Sequence, residues 1–253
     1  MRIVVCIKAV KKSLIDSNSV GYIINPYDLY SLMCALTIKK EDNSAEIVCV
    51  LMGGKEIKSV INQCYALGAD KVLWITDVKY AGSDTVATSY ILSETIKSME
   101  YDYIFCGKMA VDGETGQVPY GIAYRLNIPF FDNISRIIGV GSNSCIVLRE
   151  DQNAEISVEI EAPSILIFNK FQIEYPTISL IKLKAAQKKG AKILNSANLQ
   201  TDKNKCGIEG SKTQVLKMEK IMYRRENKLD VLTTVDESIS LLVSFFNNVR
   251  RKQ

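Results

Sequence analysis

Histidine is absent from all 253 residues. That removes the side chain most often used as a general base, metal ligand or triad member. The seven cysteines (Cys6, Cys34, Cys49, Cys64, Cys106, Cys145 and Cys206) include no CxxC pair. This argues against an iron–sulfur or zinc centre and against a disulfide framework. Several stand inside apolar runs, where a free cysteine behaves as a small hydrophobe. No stretch approaches the roughly 20 apolar residues of a membrane span. Nor does a charged-then-apolar leader precede the first strand-like run, so a cytoplasmic location is expected. Whatever chemistry occurs here is expected to be carried by a cofactor.

What is present suits a soluble α/β protein. The apolar fraction is 47% and the charged fraction 24%, ordinary for a globular chain long enough to bury a sizeable core. The net charge of +4 is unevenly spread: from Lys182 onward 16 Lys and Arg face 7 Asp and Glu, and the preceding residues carry 16 against 21. A basic C-terminal third could meet nucleic acid or an acidic partner. No recognition helix or RNA-binding signature accompanies it, so a protein partner is the better reading and no nucleic acid is expected.

Apolar, β-branched runs at 2–7, 45–51, 71–75 and 102–106 read as strands, separated by helical stretches at about 26–40, 55–67 and 85–99. Asn25 is a candidate N-cap with Pro26 in the first helical position, and Leu29, Leu32, Met33 and Leu36 form the apolar stripe. Gly68 ends the second helix, and Ser83 and Asp84 cap the third, ahead of Thr85. Alternating strands and helices give a doubly wound, mostly parallel sheet. From Ile134 the period changes, and 144–149 and 154–160 flank a polar turn as a β-hairpin, with a further apolar strand at 163–168. Arg149 there reads as a surface partner for Glu150 or Glu155. Residues 195–226 have too little apolar content to fold alone and read as an extended arm, and 236–249 form an amphipathic helix. The division expected is an α/β domain over 1–181 and a C-terminal arm with its helix over 182–253.

The stretch with most chemical content is Gly107-Lys108-Met109-Ala110-Val111-Asp112-Gly113-Glu114-Thr115-Gly116-Gln117-Val118. It joins a buried strand to a helix start, the place where an α/β sheet offers backbone N–H groups to a phosphate. Three glycines permit a geometry that a Cβ resists. Asp112 and Glu114 could accept from ribose hydroxyls or brace the loop. An ordinary strand–helix connection would look similar. In a doubly wound sheet, ligands sit beyond the carboxyl ends of strands, so segments starting at Cys6, Met52 and Gly107 should converge on one crevice.

This loop resembles the adenine-nucleotide loop of the electron-transferring flavoprotein beta subunit, Gly-[Lys/Arg]-Gln-Ala-Ile-Asp-Gly-Asp-Thr-Ala-Gln-Val-Gly. The chain has Met109 for the Gln, Glu114 for the second Asp, Gly116 for the second Ala and Pro119 for the last Gly. Further similarity lies in Asn25-Pro26-Tyr27-Asp28, in the 65–70 junction, in the 147–165 region and in 206–213, and it spans nearly the whole chain. The resemblance implies a heterodimer with an alpha subunit that passes electrons from acyl-CoA dehydrogenase-type enzymes. The 25–28 turn would then lie against the bound nucleotide, and an Asp84-Thr85 pair would stand near a flavin. The 112–118 segment is more similar to the electron-bifurcating group. It implies FAD in this subunit, with hydride from NADH and electrons divided toward ferredoxin or flavodoxin; AMP is the alternative ligand. Ile178 stands where the family has an apolar anchor for its dehydrogenase. After Cys6-Ile7-Lys8, the family often continues with Gln-Val-Pro-Asp-Thr, where this chain has Ala9-Val10-Lys11-Lys12-Ser13; the resemblance places these two lysines on the side of the alpha-subunit flavin. Two readings from other classes remain: a universal-stress-type nucleotide module, which leaves the basic arm unexplained, and an ATP-pyrophosphatase-like enzyme, whose Ser-Gly-Gly-x-Asp-Ser loop is lacking after the first strand.

Overall fold

The computed structural model describes residues 1–141, 143–152, 154–172, 174–214 and 234–250. The chain opens with β1 (Arg2–Ile7), followed by a short antiparallel pair, β2 (Ala9–Lys11) and β3 (Tyr22–Ile24). Next come α1 (Pro26–Glu41), β4 (Glu46–Met52), α2 (Lys58–Leu67), β5 (Lys71–Ile75), α3 (Thr85–Lys97), β6 (Tyr103–Gly107) and α4 (Val118–Leu126). The second half contains β7 (Phe130–Val140), β8 (Ser144–Asp151), β9 (Ala154–Glu161), β10 (Ser164–Phe168), α5 (Leu180–Lys188), β11 (Lys192–Leu194) and the single turn α6 (Gly207–Gly210).

Among the described residues the main sheet has nine strands in the order β11-β5-β4-β1-β6-β10-β7-β8-β9. Seven run parallel, from β11 to β7, and β8 and β9 complete it as an antiparallel hairpin. The expected doubly wound α/β fold is therefore what forms. Strand side chains alternate between two layers, as the period of 2 requires. Ile3, Val5, Cys49, Leu51, Tyr103 and Phe105 face α1 and α2. Val4, Val48, Val50, Ile104 and Cys106 face α3 and α4. β6 is buried at every position, which explains its unbroken apolar run in the sequence.

Four elements differ from the sequence expectation. β7 is an eleven-residue strand hidden in the sequence because its register against β8 slips twice, between Ile134 and Arg136 and between Ile137 and Gly139. Each irregularity resets the alternation by which a strand is recognised. β2 lies within residues 8–21, which read as a polar loop from sequence, and β3 directly follows them; strands of three residues are too short to show a period. β11 extends the sheet beyond β5, and Leu199 and Cys206 are buried against the α3–α4 layer. The residues just past Lys182 thus belong to the first compact unit, which runs to Gln214.

The remaining described element is α7 (Val235–Arg250), in the second unit. Of the apolar face that the sequence predicts for it (Ile239, Leu242, Val243 and Phe246), the first three are exposed. Residues 215–233, within the expected arm, lie outside the described residues, as does the side chain of Phe246. Among the described residues no helix is long and apolar enough to cross a membrane.

Candidate functional site

The strand order reverses between β1 and β6. Successive βα units step from β1 toward β5 on one side, and the later strands lie on the other. At such a switch point two neighbouring crossovers depart to opposite faces and leave a gap beyond the carboxyl ends. A cleft of about 460 Å³ occupies this gap, a volume within the usual range of small-molecule sites. Cys6, Met52 and Gly107, at or near three strand ends, line it together, as do Asp28, Asp84 and Thr85 from helix starts. From the loop come Met109, Ala110, Gly113, Glu114, Thr115, Gly116, Gln117 and Val118. The structure thus brings fourteen of the twenty sequence-predicted nucleotide residues to one surface.

The other six are placed differently. Asn25 does not cap α1, since its side chain makes no cap hydrogen bond. It is fully buried, and its amide donates from Nδ2 to Met109 O at 2.8 Å and accepts at Oδ1 from Val111 N at 3.2 Å. The residue that reads as a helix cap is instead the brace of the loop. Pro26 holds the expected first position of α1. Tyr27 packs edge-on against Phe171 with ring centroids 5.1 Å apart. Asp112 pairs with Lys8 Nζ at 2.7 Å, which bends the loop back over the end of β1. Lys108 donates its N–H to Phe168 O at 2.9 Å, continuing the β6–β10 ladder. Val111 contributes the N–H that Asn25 takes.

Asp28 joins the two central strands at the floor of the cleft. Its Oδ2 accepts from Lys8 N at 2.8 Å, just past β1, and its Oδ1 from Gly107 N at 3.2 Å, the last residue of β6. Gly107 has to be glycine, because a Cβ there would lie 2.6 Å from Tyr27 Cβ. Burial pushes the Asp28 carboxyl up to about 7, against the pull of the Lys8 and Gly107 N–H groups and the Asn25 side chain toward the charged form. The hydrogen-bonded Cys6 thiol and burial raise the Cys106 thiol well above its ordinary range.

Two helices point their N-termini at this space. Asp84 caps α3, with Oδ1 accepting from Val86 N at 2.9 Å and Ala87 N at 3.0 Å. Burial alone would raise its carboxyl, but backbone N–H groups of Ala87, Lys212 and Thr213 outweigh that and hold it below the usual range. At α4 the N-cap is Gln117, which makes no side-chain cap bond. Pro119 in the first turn has no N–H, so the donors this helix end can offer a ligand are those of Gln117 and Val118, which line the cleft where the helix dipole favours an anion. Gly116 sits at φ +64° and Glu114 at φ +52°, the left-handed turns that swing the chain from β6 into α4. Lys8, Tyr80, Ser83 and Thr88 also line the cleft, and no role in the site was legible for them from sequence. Only Ser83 carried a local signal, as a cap. Among the described residues no group of three or more acidic or cysteine side chains is placed to hold a metal.

The structure places Ile178 partly buried against the main core, while Leu180 and Ile181 stand 75% and 81% exposed beside it. Arg149 pairs with neither predicted partner: its guanidinium donates to Asp132 O at 3.0 Å and Asp132 Oδ1 at 2.7 Å. The intervening strand register turns it toward β7 rather than along β8.

Comparison with known proteins gives the same picture. Residues 13–169 match the electron transfer flavoprotein domain. The chain is 35% identical over 212 residues to the electron transfer flavoprotein subunit beta of Thermoanaerobacterium thermosaccharolyticum, covering 83% of this chain and 80% of that one. It is 29% identical over 255 residues to the caffeyl-CoA reductase-Etf complex subunit CarD of Acetobacterium woodii, covering 96% and 97%. It is 31% identical over 257 residues to protein FixA of Sinorhizobium fredii, covering 94% and 90%. The sheet order, the cleft at its switch point and these matches agree: the chain belongs to the electron transfer flavoprotein family, as a beta subunit.

Proposed function

We propose that the cleft holds the adenosine-diphosphate part of FAD, and that the chain, paired with an alpha subunit, carries electrons by bifurcation. Its electrons would come from NADH or an acyl-CoA dehydrogenase-type partner and pass toward ferredoxin or flavodoxin. When bound, FAD supplies acceptance of a hydride and release of electrons one at a time. The chain's own residues bind and orient. The N–H groups of Gln117 and Val118 at the start of α4 would take the diphosphate, with Lys8 as the nearest lining cation. Asn25 and Asp28 hold the loop and the strand ends in register.

One observation carries this reading: an uncapped helix N-terminus next to a glycine that the protein itself does not need. Gly113 lies outside the left-handed region, and a Cβ on it would meet nothing within 4 Å. A glycine unexplained by backbone or packing is understood where a ligand comes close. Gly116, by contrast, is accounted for by its φ of +64° and a Cβ position 3.2 Å from Lys108 O. The 112–118 segment favours the same assignment.

The test is the flavin content of the purified heterodimer. Two FAD per dimer supports the reading, whereas one FAD with one AMP leaves electron transfer but removes bifurcation. A heterodimer with no nucleotide in this subunit would refute the site itself.

A further inference from the structure

The rim of the cleft is also an anchorage. Asp84 caps α3 with one carboxylate oxygen, and the other, Oδ2, is occupied by a distant part of the chain. It accepts from Lys212 N at 2.6 Å, Thr213 N at 2.9 Å and Thr213 Oγ1 at 3.2 Å. The N–H of Asp84 donates to Ser211 Oγ at 2.8 Å, and Ser83 Oγ accepts from Gly207 N at 3.1 Å. Gly207 reaches this position at φ +59°, and a side chain there would run into the Lys79 carbonyl. Ser83, Asp84 and Thr85 all line the cleft. One three-residue corner therefore forms both the cleft rim and the fastening of residues 207–213. Beyond Gln214 the chain enters its second compact unit, residues 215–253.

We infer that Asp84 is a positioning residue through which an anionic ligand in the cleft and the 207–213 segment hold each other in place. The inference rests on the reading of the cleft as a nucleotide site. With the segment fastened, three donors surround Oδ2. With it released, the same oxygen is left bare on the rim, a negative charge beside the space assigned to phosphates. A phosphate-bearing ligand consequently prefers the fastened form, and only such a difference in affinity can shift the balance between two states. By reciprocity the fastened segment raises nucleotide affinity by the same factor. Thr213 supplies two of the three donors, so the coupling is concentrated on one pair. Nucleotide loading also fixes the point from which residues 215–253 depart.

The experiment is a double-mutant cycle on the heterodimer freed of nucleotide, with ADP and uncharged adenosine as probes. Thr213→Pro removes both of that residue's donors and leaves the carboxylate in place. ADP affinity is expected to fall at least about fivefold, the lower end of ordinary coupling, with adenosine affinity unchanged. Asp84→Asn keeps a good helix cap and removes the charge, so Asp84→Asn with Thr213→Pro together should recover ADP binding relative to Thr213→Pro alone. Unchanged ADP affinity in Thr213→Pro, or no recovery in the double variant, would overturn the coupling while leaving the nucleotide site intact. Failure of the unmodified heterodimer to bind ADP would instead remove the site, and this inference with it.

Discussion

Asn25 Oδ1 accepts from the N–H of Val111, 86 positions along the chain, while its Nδ2 donates to Met109 O from the same amide. One buried side chain thus meets a donor and an acceptor on a loop that has few other ties to the fold. Removing it strands both backbone groups away from water. Asn25→Ala is expected to cost about 1–3 kcal/mol of stability and to weaken nucleotide binding at least tenfold by loosening residues 107–118. Urea unfolding and ADP titration of the same samples measure the two effects. Normal stability would show that the loop finds other partners.

Asp28 makes stability depend on pH in an unusual direction. Its carboxyl is pushed up to about 7 from an ordinary 3.8. Between these values the folded protein holds a proton that the unfolded chain has lost, so this group's contribution is complete below about 4, declines as pH rises toward 7 and is flat above. Asp28→Asn should abolish that slope. Each unit of separation corresponds to about 1.4 kcal/mol, so the stability difference between the two proteins should change by a few kcal/mol from pH 4 to 7. Unfolding midpoints at half-unit pH steps give the answer, and parallel curves would place the Asp28 carboxyl in the ordinary range.

Gly113 and Gly116 should respond oppositely. Gly113→Phe introduces a side chain into open space and is expected to displace the nucleotide proposed for this subunit with little loss of stability, while any flavin proposed for the alpha subunit is retained. Gly116→Ala meets the left-handed φ of +64° and is expected to destabilise by about 1–2 kcal/mol while nucleotide still binds. Flavin stoichiometry with thermal unfolding separates them. A Gly113→Phe heterodimer with unchanged nucleotide content would exclude that loop from the site.

For the dehydrogenase-type partner proposed above, exposure divides two neighbouring isoleucines. Ile178 is half-buried against the core and Ile181 is 81% exposed. Ile178→Asp is expected to cost stability as well as coupling. Ile181→Asp should keep stability within about 0.5 kcal/mol. If Ile181 is a contact, electron transfer from the dehydrogenase should slow at least tenfold, in line with loss of an apolar anchor. If Ile181→Asp leaves the rate unchanged while Ile178→Asp at equal folded fraction reduces it, the anchor is Ile178 alone.

Strands 2–7 and 71–75, the strand expected at 102–106 and found at Tyr103–Gly107, the helix opened by Pro26, and the glycine loop after β6 were all readable, because each is written in a contiguous run whose apolar period, proline or glycines act locally. β7 was not readable, since two register slips erase its alternation. β11 was not either, for three residues acquire strand character only by lying beside β5.

The same division holds at the site. Local sequence determined that a loop rich in glycine would follow a buried strand, and that Asn25 and Asp84 stood at helix starts. Only the tertiary structure decided what those two side chains grip: a loop 86 residues away in one case and a segment 129 residues away in the other. A side-chain amide or carboxylate has the same hydrogen-bonding capacity wherever it stands. Its partner is chosen by which backbone groups the folded chain brings within about 3 Å and leaves without water.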